Sequence, residues 1–570
     1  MSITTPSRPP RWDQPFGSDI TDADVDRLLS IPEIGAIERD IFPSHMPLAG
    51  ILRNDSRIIH YKAGDIVFRE GDYGNSVFLI LEGSLRVVLA PGLPGGILGR
   101  REIQKNNFWQ TLKQLWTQHK TPEVRGTQRY TQEAPLRKAV EPGETHVFLQ
   151  DIPAILDSYR TAVLEKGTLF GELSALGRTP RAATVFAGTG AELLEIRWQG
   201  LREIRKYDQG WRRRIDQNYR KDALNSHLLA TSIFSHLDVD DLQEVADNTL
   251  FETYGSFDWY LSYKKFQAQE SIKEVKDEPI IAQQGAYPDG ILMVRAGFAR
   301  VSIERGHGRQ TITYLRAGDF YGADELYRKW KGETNISLKV SITAIGYVDI
   351  LRASTRIVEK HIFSYWDSGR GEIRKVKSVP SKMKRRMEDY FDQPLADGAM
   401  QEWVVQERFV NGTQAMLINL DRCVRCDDCV RACAATHEGN PRFIRHGKRF
   451  QNWMVANACM HCADPVCMIG CPTGAIHRSM PGGTVIINDD TCIGCETCAN
   501  SCPYSNIQMV SIRDEVGQSI LDPQNHKPIL KATKCDLCAD QRAGPACVLS
   551  CPTDALKRVD FLQWRPGSEI

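Results

Sequence analysis

The sequence predicts a multidomain chain: two β jelly-roll barrels with flanking helices, followed by a small α+β domain organised around metal. Three observations carry this. Short β-like runs broken by glycine turns fill two stretches ahead of residue 354, the second stretch repeats the glycine spacing of the first, and all sixteen cysteines of the 570-residue chain lie at or beyond Cys423. The divisions that follow are 1–50, a tail with helices; 51–226, a first barrel with an insertion at 91–160 and a C-terminal helix; 227–353, a second barrel; 354–410, a basic joining segment; and 411–570, the cysteine domain.

Composition narrows the function classes. With 72 Lys+Arg against 71 Asp+Glu, the net charge of +1 gives no global argument for nucleic acid or an anionic membrane surface. No stretch reaches the roughly 18 apolar residues of a membrane span, and the start MSITTPSRPPRWDQP has neither a signal-peptide core nor paired arginines for export. The expectation is a cytoplasmic protein in a reducing compartment.

In chain order, the Pro-rich tail passes into ITDADVDRLLSI, where Thr21 or Asp22 is placed to cap a helix. From Ile58, the run IIHYKAGDIVFREGDYGNSVFLILEGSLRVVLA alternates strand-like segments, Ser76–Leu81 and Ser84–Leu89 among them, with the turns Gly64-Asp65, Gly71-Asp72 and Glu82-Gly83. The insertion from Pro91 to about Arg160 contains Ile103–Lys120, which reads as an amphipathic helix with Phe108, Leu112 and Leu115 on one stripe. Packing on its own barrel and docking of a partner subunit are both open to it.

The barrel resumes as TAVLEKGTLFGELSALGRTPRAATVFAG. Gly171 permits close backbone approach, amide groups opening a short helix can meet a phosphate, Arg181 supplies a cation, and Glu172 stands where a carboxylate could accept a ribose hydroxyl. Leu201–Asn225 reads as one charged helix closing this barrel. In the second barrel, Gly285, Gly297 and Gly318 fall where the first has Gly71, Gly83 and Gly167, which marks an internal duplication. Ala323 stands in the place of Glu172, and Lys339-Val340 in the place of an arginine-alanine pair. Losing one partner of a desolvated charge pair costs about 2–5 kcal/mol, so the second barrel is expected to be a structural mediator, with Asp324 and Glu325 leaving a different ligand open. The basic run Lys382–Arg386 has no helix-turn-helix around it, which argues against a transcription factor.

The cysteines form four sets: Cys423, Cys426, Cys429, Cys433; Cys459, Cys462, Cys467, Cys471; Cys492, Cys495, Cys498, Cys502; and Cys535, Cys538, Cys547, Cys551. Two residues between thiolates let a tight loop aim both at one cluster while its amides offset the negative charge. The last three sets end in Cys-Pro, at Pro472, Pro503 and Pro552. Disulfides suit small secreted domains, and structural zinc explains the Cys-x2-Cys pairs but not the later cysteines with their proline. In two-cluster ferredoxins the fourth cysteine of each run ligates the other cluster. Four motifs therefore predict four [4Fe–4S] clusters and a poly-ferredoxin domain.

Two resemblances add to this reading. The FGEL and PRAAT portions resemble the phosphate-binding cassette of cyclic-nucleotide-binding domains. That resemblance implies that Arg181 pairs with the cyclic phosphate, Glu172 takes the 2′-hydroxyl, and Gly171, Leu173, Ser174 and Ala182 line the site, with Ala182 favouring cAMP. From about Leu417 to Leu562, CVRCDDCVRAC, CMHCADPVCMIGCPTGAI, CIGCETCANSCPY and KCDLCADQRAGPACVLSCPTDAL resemble the four-cluster electron-transfer subunits of the dimethyl sulfoxide reductase and formate dehydrogenase families. The resemblance implies cluster sets Cys423/Cys426/Cys429/Cys551, Cys433/Cys535/Cys538/Cys547, Cys459/Cys462/Cys467/Cys502 and Cys471/Cys492/Cys495/Cys498. Complete cysteine sets leave His437, His446, His461 and His477 to roles around the clusters or at the surface and not to ligation. The expected function is a relay of single electrons to or from a separate catalytic subunit, a flavoprotein or a molybdenum-type oxidoreductase, tuned by cAMP. No flavin, nicotinamide or molybdopterin fingerprint gives this chain a substrate site of its own. A redox or oxygen sensor, and a relay whose barrels are inert scaffolds, are the alternatives.

Overall fold

A computed structural model describes most of the chain between residues 20 and 561; residues 1–15, 107–120, 126–136, 148–157, 264–277, 368–395, 562–570 and several shorter runs lie outside the description. Most of the amphipathic stretch Ile103–Lys120 and all of Lys382–Arg386 are therefore outside the described residues. The chain divides into two compact units. The first comprises 1–100, 133–223 and the short stretch Met468–His477; the second comprises 101–132, Leu224–Cys467 and 478–570.

In the first unit, Thr21 caps the helix Asp22–Ser30 reciprocally: its hydroxyl accepts from the Asp24 N–H at 3.2 Å while the Asp24 carboxylate accepts from the Thr21 N–H at 2.8 Å. The barrel strands are β1 (Ser56–Tyr61), β2 (Ile66–Phe68), β3 (Ser76–Glu82) and β4 (Leu85–Val88), then, after a separate hairpin in the insertion of β5 (Arg137–Glu141) and β6 (Glu144–Val147), β7 (Thr161–Leu164), β8 (Leu169–Phe170), β9 (Val185–Ala187) and β10 (Ala191–Arg197). Two four-stranded antiparallel sheets, β1-β10-β3-β8 and β2-β9-β4-β7, face each other as a jelly roll. Ile80, Phe78, Phe170, Leu85, Val185 and Leu193 fill the space between them. The closing helix differs from expectation. It is two helices, Trp198–Tyr207 and Gln209–Tyr219, because Asp208 takes an extended conformation and its carboxylate caps the second by accepting from the Trp211 N–H at 2.6 Å.

The second unit contains the second barrel, one six-stranded antiparallel sheet of β11 (Thr249–Gly255), β12 (Ile280–Ala282), β13 (Gly290–Arg305), β14 (Gly308–Arg316), β15 (Phe320–Tyr321) and β16 (Ser341–Ser354). The glycine correspondence read from sequence has a backbone basis. Gly71, Gly83 and Gly167 have φ of 78°, 81° and 82°, and Gly285, Gly297 and Gly318 have 85°, 80° and 89°. A Cβ on Gly83 would come within 2.1 Å of the Gly190 carbonyl oxygen, and one on Gly297 within 1.9 Å of the Tyr347 carbonyl oxygen, so both barrels need a bare glycine at the same crossing.

The joining segment is helical where described. After β16 the chain continues helically to Asp367, and Ala396–Gln406 forms a further helix. Met400, Trp403 and Val404 of that helix share one core with Phe298 and Tyr314 of the second barrel and with Leu417 and Val455 of the cysteine domain. Arg300, buried beneath it, donates to Glu278 at 2.6 Å and to Glu402 at 2.5 Å. The cysteine domain is built on a four-stranded antiparallel sheet, β18 (Phe443–Phe450), β19 (Trp453–Ala458), β17 (Ala415–Asn419) and the strand Leu556–Val559, in that spatial order.

Candidate iron–sulfur site

The thiols are aimed by left-handed turns. In every motif the residue before the second cysteine has positive φ: Arg425 at 59°, His461 at 49°, Gly494 at 73° and Leu537 at 61°. This turn lets two residues separate two convergent thiols and points successive amides inward as a nest for negative charge. Asp427 and Glu496 repeat the left-handed conformation after the second cysteine, at 63° and 62°, and each begins a helix carrying the next thiol, Asp428–Thr436 and Thr497–Ser501.

Three quartets within the second unit each draw on two motifs, the first with the fourth twice and the second with the third once. Cys423, Cys426 and Cys429 line one pocket with Cys551, and Cys459, Cys462 and Cys467 line another with Cys502. Cys433, Cys535 and Cys538 all act electrostatically on Cys547. Of the remaining set, Cys492 and Cys498 are buried and Cys495 is exposed in the second unit, whereas Cys471 belongs to the stretch that packs in the first.

The donor chemistry fits iron–sulfur clusters. Burial together with neighbouring thiols pushes Cys547 up to about 12 and raises Cys462 and Cys467 well above the usual thiol range. Four such groups converging on one apolar space ionise together only when cationic metal occupies it. Backbone amides already donate to several sulfurs: Arg442 N–H to Cys433 at 3.2 Å, Ala555 N–H to Cys551 at 3.2 Å, Asn506 N–H to Cys502 at 3.4 Å and Ala546 N–H to Cys538 at 3.5 Å. Such bonds stabilise the reduced, more negative state.

Side chains that sequence reasoning did not single out complete the surroundings. Arg558 Nη2 donates to Cys535 Sγ at 3.0 Å, and its Nη1 donates to the Cys459 carbonyl at 3.3 Å. Lys531, buried, donates to the Cys492 carbonyl at 2.7 Å, and Lys534 to the Cys535 carbonyl at 3.0 Å. A cysteine-free position such as Arg558 carries no spacing signal. Of the four histidines, His446 is exposed while His437, His461 and His477 are buried. His437 pairs with Asp536 at 3.0 Å and lies 3.8 Å from Cys433 Sγ; this carboxylate and the Cys433 sulfur hold its pKa well above the ordinary value despite burial.

The insertion contributes as well. Lys105 donates to the Gln541 carbonyl at 3.0 Å and the Asn106 N–H to the Asp540 carbonyl at 2.8 Å. Val124 bridges Arg513, and Glu123 accepts from Arg442 and from Asn440. These described pieces of the insertion are thus built into the cysteine domain, while Leu93 and Leu98 pack with Ile66 and Phe186 of the first barrel.

The cassette in the first barrel has a different character. Gly171 has φ of 81° ahead of the short helix Glu172–Gly177, and Glu172, Ser174 and Arg181 are buried while Ala182 is exposed; the Leu173 side chain lies outside the description. The Arg181 guanidinium points inward, donating to the Gly171 carbonyl at 2.6 Å and the Ser76 carbonyl at 2.9 Å, 4.3 Å from the Phe68 ring centre. Desolvation pushes its pKa down to about 10, so it is still a cation at neutral pH. In the second barrel Gly322, with φ of 96°, stands for Gly171, and Ala323 begins the helix where Glu172 begins its own. Glu325 there is buried and accepts from the Tyr321 hydroxyl at 2.9 Å.

The cysteine domain therefore has the chemistry of an iron–sulfur electron-transfer protein. A family model described as a 4Fe-4S dicluster domain matches residues 450–561. The electron transport protein HydN of Escherichia coli strain K12 is 34% identical over 157 residues, covering 25% of this chain and 87% of that protein. The thiosulfate reductase electron transfer subunit PhsB of Salmonella typhi is 37% identical over 157 residues, covering 25% of this chain and 73% of that protein. Through this domain the chain belongs to the family of 4Fe–4S electron-transport proteins that includes HydN. Among solved structures, the regulatory domain of Toxoplasma gondii PKA with cAMP aligns over 61% of this chain and 95% of its own, at 15% identity and a TM-score of 0.21. No helix among the described residues is long and apolar enough to cross a membrane.

Proposed function

We propose that the chain relays single electrons through four [4Fe–4S] clusters, in a reducing compartment, to or from a catalytic partner of the flavoprotein or molybdenum type. The observation that carries this reading is the distribution of exposure along cross-paired thiols. Cys426 and Cys495 reach solvent, whereas Cys433, Cys459, Cys502, Cys535, Cys538 and Cys547 are buried, as expected of a wire with surface ends and an insulated middle. Bound clusters would supply the one-electron chemistry; the protein fixes each thiolate, excludes water and donates amide and guanidinium hydrogen bonds to sulfur.

The test exploits the cross-pairing. Cys551→Ser should remove the cluster of Cys423, Cys426 and Cys429 and lower iron content by about a quarter, since each cluster has its own four thiolates. Adding Cys423→Ser should cost nothing further, whereas adding Cys547→Ser should cost a second cluster, read by iron analysis and paramagnetic resonance of the reduced protein. The reverse pattern, a second cluster lost with Cys423→Ser and nothing further with Cys547→Ser, would show that the motifs are not interleaved.

Cyclic-nucleotide control is a second reading, favoured by the left-handed Gly171 beside a buried Glu172, Ser174 and Arg181. An entering phosphate must draw the Arg181 guanidinium from two carbonyls, so binding would come with movement of the Gly171 loop. Calorimetry with cAMP should show one site, weaker with cGMP and lost in Arg181→Ala, with iron content unchanged. The effect on electron-transfer rate is expected to lie within the about 5–150-fold that ordinary allosteric coupling supplies. Absence of heat and of binding by dialysis would reduce the first barrel to a scaffold.

A further inference from the structure

A cavity of about 400 Å³ in the second unit has no place in the relay described so far. Its walls include the rings of Tyr263, Phe409 and Tyr504, with Tyr504 at 6.1 Å from Tyr263 and 6.2 Å from Phe409 between ring centres. Both tyrosine hydroxyls are turned onto backbone carbonyls, Tyr504 onto Arg408 at 2.7 Å and Tyr263 onto Glu407 at 3.0 Å, which fixes the rings. The volume falls within the about 300–1,000 Å³ of small-molecule sites, toward the end that holds one ring system and a short arm.

Three features define the occupant. Flat aromatic walls favour a planar ring. Lys448, half-exposed and 3.6 Å from Glu407, offers a cation to an anionic substituent. Asn506 also lines the cavity; its Nδ2 is committed to the Ala458 carbonyl at 2.6 Å, and its Oδ1 is enclosed with no partner among the described residues, so a turn of this side chain toward the cavity would let it accept from a ring N–H. Position supplies the function. Met460, Pro503, Tyr504 and Asn506 line both this cavity and the pocket of Cys459, Cys462, Cys467 and Cys502, so one layer of residues separates them.

From this geometry we infer that the cavity is a binding site for a planar, anionic heteroaromatic electron carrier with a ring N–H, of the flavin mononucleotide class, which exchanges electrons with the cluster of Cys459, Cys462, Cys467 and Cys502. With clusters and ring bound, two successive one-electron deliveries, each oxidising the adjacent cluster before the rest of the relay re-reduces it, would reduce the ring with two protons from solvent at the open side. The inference rests on the relay reading for its redox half only; binding stands on the cavity.

The experiment uses the anaerobic, cluster-loaded full chain, titrated with flavin mononucleotide by equilibrium dialysis and by quenching of flavin fluorescence. One saturable site per chain is expected, weakened about tenfold in Lys448→Gln, as for loss of a charge-assisted hydrogen bond, and weakened in Tyr263→Leu, with iron content measured in each variant. A sulfonated naphthoquinone, planar and anionic but without a ring N–H, should bind less tightly. No saturable binding, or binding indifferent to both substitutions, overturns the site. After reduction with dithionite, bound flavin should restore the visible absorbance of part of the clusters; binding without such recovery overturns the redox half. Failure of ferricyanide, which needs no cavity, to restore that absorbance would instead implicate the relay itself.

Discussion

Replacing Glu123 by alanine should destabilise the second unit by about 3 kcal/mol, the lower end of what breaking a buried ion pair costs, because Arg442 keeps Glu438 and Arg125 keeps Asp489. Glu123 is 3% exposed and Arg442 8%, and the carboxylate holds Arg442, Asn440 and Arg125 at once. The backbone is tied too: the Glu123 N–H donates to the Glu438 carbonyl at 2.8 Å and the Glu123 carbonyl accepts from the Arg513 N–H at 2.9 Å. Because the Arg442 N–H bonds Cys433 Sγ, the damage should reach the cluster of Cys433, Cys535, Cys538 and Cys547. Hydrogen exchange of 121–125 and 438–442, with iron content as the second readout, measures both. Burial by itself would raise the Glu123 pKa, but Arg442 and Arg125 more than reverse this and hold it below the ordinary value. The folded-state pKa is thus depressed, so the contribution is present above the unfolded carboxylate value of about 4.3 and is lost as pH falls through the folded value. Wild-type protection of 121–125 should decline on acidification, and Glu123→Gln should show no such decline. Unchanged exchange in Glu123→Ala would sink the assignment of this segment to the cysteine domain.

That segment marks where sequence reasoning stopped. The cysteine spacing was legible because cluster geometry dictates it locally: a left-handed residue before the second thiol recurs at Arg425, His461, Gly494 and Leu537 whatever the side chain. The barrels were legible through glycines with no alternative, as at Gly83 and Gly297, where a Cβ would strike the neighbouring strand's carbonyl. What was hidden is long-range. Glu123 and Arg442 stand 319 positions apart, and nothing near Glu123 marks it as a partner. The single closing helix became two because Asp208, an ordinary polar residue on a charged helix, serves better as a cap. The cassette was recognised from residue types, yet the inward turn of Arg181 onto Gly171 and Ser76 depends on Phe68, from a strand more than a hundred positions earlier.

Arg558 carries the second large expectation. Its guanidinium donates to Cys535 Sγ through one arm and reaches the Cys459 carbonyl through the other, so a single cation touches ligand residues of two quartets. Reduction adds negative charge to a cluster and its sulfurs, which strengthens a hydrogen bond donated by a cation; the bond therefore favours the reduced state. A hydrogen bond to a charged group is worth about 1.5–3 kcal/mol, or about 60–130 mV for a one-electron couple at 59 mV per tenfold. Arg558→Gln should lower the midpoint potential of the cluster held by Cys433, Cys535, Cys538 and Cys547 by at most that amount, since only the part of the bond gained on reduction moves the potential, with a smaller fall at the cluster of Cys459, where the contact is to a carbonyl and not to sulfur. Arg558→Lys keeps the charge but lacks the planar two-armed fork, and should recover only part of the shift. A redox titration followed by paramagnetic resonance separates this from a packing effect, since a merely structural residue would alter cluster content or line shape without ordering the potentials Arg, Lys, Gln from high to low. A cation in contact with ligand residues of two quartets raises both potentials, the one at Cys535 more than the one at Cys459, and so sets the step between them; if both potentials stay fixed in Arg558→Gln, the cation has no part in setting them.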